Sequence, residues 1–194
     1  MSNLYPNKAL AEEILEEAEH CNPGPWGNHS RVVAMCAEKI AAACDDMDGE
    51  KAYILGLLHD IGRKFGGRHL GHVYDGYTYM LDLNYPEAAK ICLTHSFNIK
   101  RIEDYIGNFD VTLKERKIVE DALANTEYDD YDRLIQMCDA IGTADGPVPM
   151  EERMGDVKRR YGNYPQEKWD KNMELRSYFE KKMGRDLYEV IGKG

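Results

Sequence analysis

The stretch GEKAYILGLLHDIGRK, residues 49–64, decides how this chain is read. Asp48 stands in front of it as a ready N-cap and Gly62 stops it, so residues 49–60 are expected to form a strongly apolar helix. His59 and Asp60 fall in its last turn. Neighbours on a helix diverge by about 100°, yet at a helix end both side chains can lean toward one point. A short basic loop follows, carrying Arg63, Lys64 and Arg68.

Working outward, further histidines and one more aspartate recur on segments with helical spacing. Pro23-Gly24-Pro25 breaks the chain ahead of a helix over about 26–44. There His29, Val33, Cys36 and Ile40 are three or four residues apart and share a buried stripe. Downstream, a helix over about 70–83 sets His72, Gly76, Tyr79 and Leu83 on one face. Asn84-Tyr85-Pro86-Glu87 reads as a capping box opening a helix that ends near His95, with Ala88 and Cys92 on the same face. A second capping box, Thr112 to Glu115, begins a helix reaching about Asn125. The helix expected over about 130–143 turns Asp139 and Cys138 toward the core.

Residues 7–20 form an amphipathic helix whose polar face (Glu12, Glu13, Glu16, Glu17) is solvated, and nothing there resembles a signal peptide. Past the Gly/Pro turn at 144–149 the sequence is polar and helical, over about 150–161 and 166–183. No period-2 pattern marks a strand. The expectation is an all-α, single-domain helical bundle over residues 1–194. Its core spans about 26–146, and 147–194 form a helical C-terminal extension.

Composition narrows the function. The longest apolar run, 52–58, is too short to span a bilayer. A net charge of −10 argues against a duplex nucleic acid partner, which needs a basic stripe to displace counterions. The five cysteines form no CxxC pair. Cys36, Cys92 and Cys138 sit in helical apolar patterns as free buried thiols, which places the protein in a reducing cytoplasm. With thiolates absent from the pattern, six imidazole and carboxylate donors remain: His29, His59, Asp60, His72, His95 and Asp139. That set suits a divalent transition metal (Mn, Fe, Ni, Co or Zn) rather than magnesium or calcium. A carboxylate can bridge two ions about 3.5–4 Å apart, the geometry that clamps a phosphoryl group.

The order His29, His59-Asp60, Asp139 on separate helices, with HDIGRK at its centre, resembles the HD superfamily of metal-dependent phosphohydrolases. The resemblance covers about 26–146. It implies that His29, His59, Asp60 and Asp139 bind a first ion, and that Asp60 bridges to a second held by His72 and His95. Many dinuclear members carry a His-His pair where this chain has His95-Ser96. One or two ions therefore remain open, and without the second ion His72 and His95 would contact phosphate or act as acid. The catalytic set implied is His59, Asp60, His72 and His95.

The activity implied is hydrolysis of a small phosphate ester, a nucleotide or related phosphomonoester or diester, by metal-bound hydroxide, with Arg63, Lys64 and Arg68 gripping the phosphate. No Walker-type glycine loop or nucleophile elbow competes with this reading. The Gly-Tyr-Pro signature of cyclic dinucleotide phosphodiesterases is absent. Two alternatives stay open: a diiron oxygenase of the same scaffold acting on an organophosphonate or polyol, and a ligand-sensing regulatory module. His20 and His69 are expected on the surface, and Tyr74, Tyr77 and Tyr79 in the core.

Overall fold

Asp48 accepts a hydrogen bond from Lys51 N at 3.0 Å and so starts the helix on which the others are assembled. A computed structural model describes residues 4–192. In it, α3 (Gly49–Leu58) is apolar on nearly every side and lies in the interior, with Ala52, Ile54, Leu55, Leu57 and Leu58 buried. Burying one such side chain contributes roughly 1.5–3 kcal/mol, so this helix anchors the bundle. It packs against α1 (Lys8–Cys21), α2 (Trp26–Ala42), α5 (Pro86–Thr94) and α7 (Asp130–Asp139). The crossing with α2 is close because Gly56 lacks a side chain: a Cβ there would lie 2.9 Å from Ala34 Cα.

A 3-10 turn, Ile61–Phe65, carries the chain from α3 to α4 (Leu70–Asp82). Gly62 makes that step possible. A Cβ on it would sit 1.9 Å from the His72 carbonyl oxygen and 2.5 Å from Gly76 N, so the turn and α4 touch backbone to backbone. The HDIG glycine thereby fixes where His72 stands relative to His59 and Asp60.

The capping box expected at Asn84 does not form. Asn84 takes a left-handed conformation (φ 61°), Tyr85 precedes the helix without a side-chain cap, and Pro86 opens α5. The reversal between α4 and α5 is too tight for an extended cap, and asparagine tolerates the positive φ it needs. Glu87 pairs with Lys51 instead. The Thr112–Glu115 box does form, at the head of α6 (Leu113–Asn125). An unforeseen one, Asp129 with Asp132, starts α7. That helix ends at Asp139, because Gly142–Thr143 leave it to pair antiparallel with Gly146–Pro147.

A buried polar clamp joins the ends of α5 and α7. Asp132 accepts from Thr94 Oγ1 at 2.7 Å and pairs with Lys90 at 2.7 Å, and Gln136 Nε2 donates to the Thr94 carbonyl at 3.0 Å. These bonds hold the residues next to His95 and Asp139 in register. Helices α8 (Met150–Tyr161), α9 (Gln166–Met183) and the short α10 (Leu187–Ile191) complete the fold; α9 packs on α7 and α10 on α2. The architecture is all-α, as expected. Among the described residues no helix is long and apolar enough to cross a membrane.

Candidate metal centre

Three histidines are oriented by the main chain three residues behind them. His59, just past α3, faces the Gly56 carbonyl with Nδ1 at 2.7 Å. His95, just past α5, faces the Cys92 carbonyl with Nδ1 at 2.9 Å. In the first turn of α4, His72 Nδ1 faces the His69 carbonyl. A carbonyl only accepts, so each Nδ1 carries the hydrogen and each Nε2 is left as a bare lone pair. Burial reinforces this. It lowers the His59 pKa to about 4 and also pushes His72 down, so both rings are neutral near pH 7.

Those lone pairs converge. His72 Nε2 and His95 Nε2 are 3.2 Å apart, and Asp60 Oδ1 lies 3.1 Å from the first and 3.5 Å from the second. Three acceptors with no donor between them repel one another. Two ligands each about 2.0–2.2 Å from one ion are separated by about 3–3.5 Å, so the arrangement matches a shared cation. His29, His59 and Asp139 form the other group: Asp139 Oδ1 is 2.9 Å from His29 Nε2 and 3.8 Å from His59 Nε2. His59 Nε2 is buried and has no hydrogen-bond partner among the described residues. Each triad could hold a metal ion.

The six donors expected from the sequence are thus together, with Asp60 between the two groups as the resemblance implied. Asp60 sits with His72 and His95 through Oδ1. Its Oδ2 accepts from Arg63 Nε at 2.6 Å and lies 3.9 Å from His59 Nε2. Burial alone would raise the Asp60 carboxyl, but Arg63 and the imidazoles outweigh it and hold it well below the usual range. Asp139 is likewise lowered, against burial, chiefly by His29.

A cavity of about 490 Å³ opens onto both triads. Of the three loop cations, Arg63 and Arg68 line it, but Lys64 does not. Lys64 turns to Glu17 at 2.7 Å and the Tyr79 hydroxyl at 3.2 Å, which removes it from the substrate-facing set. Arg68 is held by Asp75 (2.9 Å), the Asp110 carbonyl (3.0 Å) and Glu115 (3.2 Å). His69, expected at the surface, is half-buried and lines the cavity. His20 is exposed, and the three tyrosines of α4 pack on the cores as expected.

The sequence reading missed the opposite wall. Tyr105, from the loop after α5, stands 6.4 Å from His72 ring to ring. Met154 and Tyr161 from α8, Tyr164 from the loop after it and Lys168 from α9 belong to the segment read as an extension. Lys168 Nζ donates to the Ser96 carbonyl at 2.6 Å, and burial lowers its pKa to about 8. One lysine among many on a polar helix gives no signal of this in the sequence.

Compared with protein-family models, residues 26–144 match the HD domain. No curated protein and no solved structure matches the chain.

Proposed function

The chain belongs to the HD domain family, and from that premise we propose that it hydrolyses phosphate esters of small molecules, nucleotides or related compounds, with one or two divalent transition metals at the paired triads. The observation that carries the reading is the convergence of the His72 and His95 Nε2 lone pairs and Asp60 at the wall of a cavity open to a small molecule. Bound there, a metal supplies Lewis acidity toward a phosphoryl oxygen and lowers the pKa of a coordinated water to about 7.

The chain's own residues set up the rest. Carbonyls behind His59, His72 and His95 hold the hydrogens on Nδ1, so no tautomer change precedes ligation. Asp60 offers one oxygen to each side, Oδ1 toward His72 and His95 and Oδ2 toward His59. Arg63 uses Nε to fix Asp60 and has no protein hydrogen bond at its terminal nitrogens among the described residues. Those nitrogens are free to grip a phosphate oxygen. Arg68, tied to two carboxylates, shapes the loop.

Elemental analysis of native protein, then a phosphatase screen with Mn, Fe, Co and Ni added back, tests this. Asp60→Asn, which keeps the packing, is expected to lose metal and phosphate release while the helical circular dichroism persists. Retained turnover in that variant would overturn the reading.

A second reading, a diiron oxygenase acting on an organophosphonate or polyol, draws on how completely Asp60, His72 and His95 are built. A dinuclear oxygenase requires both triads, whereas a mononuclear hydrolase requires one. Iron content with substrate-dependent oxygen consumption, and no phosphate release from simple esters, would favour it.

A further inference from the structure

The cavity's far wall is more positive than its ion pairs can neutralise. On α8, the cavity-lining Arg153 and Arg160 share one carboxylate, Asp156, at 3.9 and 2.9 Å, with the exposed Arg159 at 3.3 Å. Arg153 is the worst served: its pair is the longest, and its buried Nε has no hydrogen-bond partner among the described residues. Leaving a buried donor unmet costs about 1–3 kcal/mol, so a site of this kind calls for an acceptor from outside the chain. On α9, Lys168 reaches only backbone carbonyls among the described residues, Ser96 at 2.6 Å and Asp104 at 3.4 Å. An ammonium has three N–H donors, so one is left for a ligand.

The lining as a whole follows the same pattern. Arg63, Arg68, Arg153, Arg160 and Lys168 face it; Arg63, Arg68 and Arg160 are closely paired with carboxylates, which leaves Arg153 and Lys168 as the poorly matched cations. In a chain of net charge −10, this focuses a local positive field on the cavity.

We propose that α8 and α9 form an anion-binding pole, and that the substrate carries a second anionic group, distal to the reacting phosphate, seated on Arg153 and Lys168. The identity of the reacting group rests on the hydrolase reading; the pole itself does not. The substrate class is then a small phosphate ester with a further phosphate or carboxylate, rather than a singly charged or neutral-tailed ester.

Calorimetric titration of manganese-loaded protein with three probe series tests this: alkylphosphonates, alkane bisphosphonates and ω-phosphonocarboxylates. Chains of roughly two to six carbons decide whether both poles are reached at once. At the best length, a doubly charged probe is expected to bind about tenfold tighter than its alkylphosphonate, the worth of one charge-assisted contact. Whichever doubly charged series gains more identifies the distal group. In Arg153→Ala the advantage falls below about threefold while alkylphosphonate affinity moves less than about twofold, and Arg153→Lys keeps part of it. Equal affinity for singly and doubly charged probes, or equal weakening of both in Arg153→Ala, overturns the proposal.

Chelator-treated protein separates this from the parent reading. If alkylphosphonates fail to bind the loaded protein, the hydrolase reading falls. Bisphosphonate binding to the chelated protein that is lost in Arg153→Ala then still supports the pole, and absence of such binding overturns it.

Discussion

The two triads use the same donor chemistry in opposite surroundings. Asp60, His72 and His95 are all buried, and both imidazoles are locked by carbonyls. In the other triad, Asp139 keeps 31% of its side chain exposed and His29 12%, and His29 Nδ1 has no hydrogen-bond partner among the described residues. The first, buried throughout, is the closed cage and the second, with Asp139 partly exposed, the open one, although both line the cavity. Reading by resemblance expected the reverse emphasis, a secure ion at His29, His59, Asp60 and Asp139 and an optional one at His72 and His95. Preorganisation lies instead with the pair that the missing His-His motif had put in question.

The harshest way to break this contrast is Gly62→Ala. Its new methyl would meet the His72 carbonyl, so the 3-10 turn and α4 must part and the closed cage loses its register. We expect destabilisation of more than about 3 kcal/mol, read by urea denaturation; a variant as stable as wild type would show that the contact is not needed.

Acid should come next, because burial keeps His59 neutral. With its folded pKa at about 4 against an ordinary 6.5, the unfolded chain takes up the proton first as pH falls. The stabilising effect of a neutral ring is full above about pH 6.5 and is lost toward pH 4, roughly 3 kcal/mol at most. His72, shifted the same way, adds to that slope, and the lowered Asp60 and Asp139 extend it below pH 4. Denaturation of chelator-stripped protein from pH 7 to 4 measures it, and a flat profile would contradict the burial.

Metal extraction sharpens the contrast directly. Removal of manganese by excess chelator is expected in two phases, fast from the open triad and slow from the closed one. His29→Ala should erase the fast phase and His72→Ala the slow one, with rates separated by about 10–100-fold. A single phase, or the reverse assignment, would collapse the distinction.

The smallest effect is expected from Thr94→Val. Removing the hydroxyl that Asp132 accepts costs about 1–2 kcal/mol and should quicken the slow phase by loosening the α5–α7 clamp. An unchanged melting temperature would mean that Lys90 and the Asp129 N–H hold Asp132 without it.

Much of this was legible in the chain. Helical spacing around His29, His72 and His95, and the cap at Asp48, located the helices that carry the donors. Asp139 was correctly placed on the core-facing side of α7. The failures share a cause, dependence on contacts distant in sequence. Lys64 was misread because its partners, Glu17 and Tyr79, lie on other helices. Asn84 was misread because the tightness of a reversal is not written in the residues that make it. The α8–α9 wall was missed because its cavity-facing residues sit among solvated charges without an apolar rhythm, and only tertiary packing tells the two apart.

Asp60 aside, what orients the donors of the closed cage is peptide backbone. Substitution at Cys92 or His69 changes a side chain and leaves the oxygen that steers the imidazole where it was. Sequence drift at these two positions therefore leaves the orientation of both imidazoles untouched while the helices hold. Retuning a metal held there through its imidazoles would mean altering the ligands or bending the helix, whereas Asp60 can also be reached through Arg63.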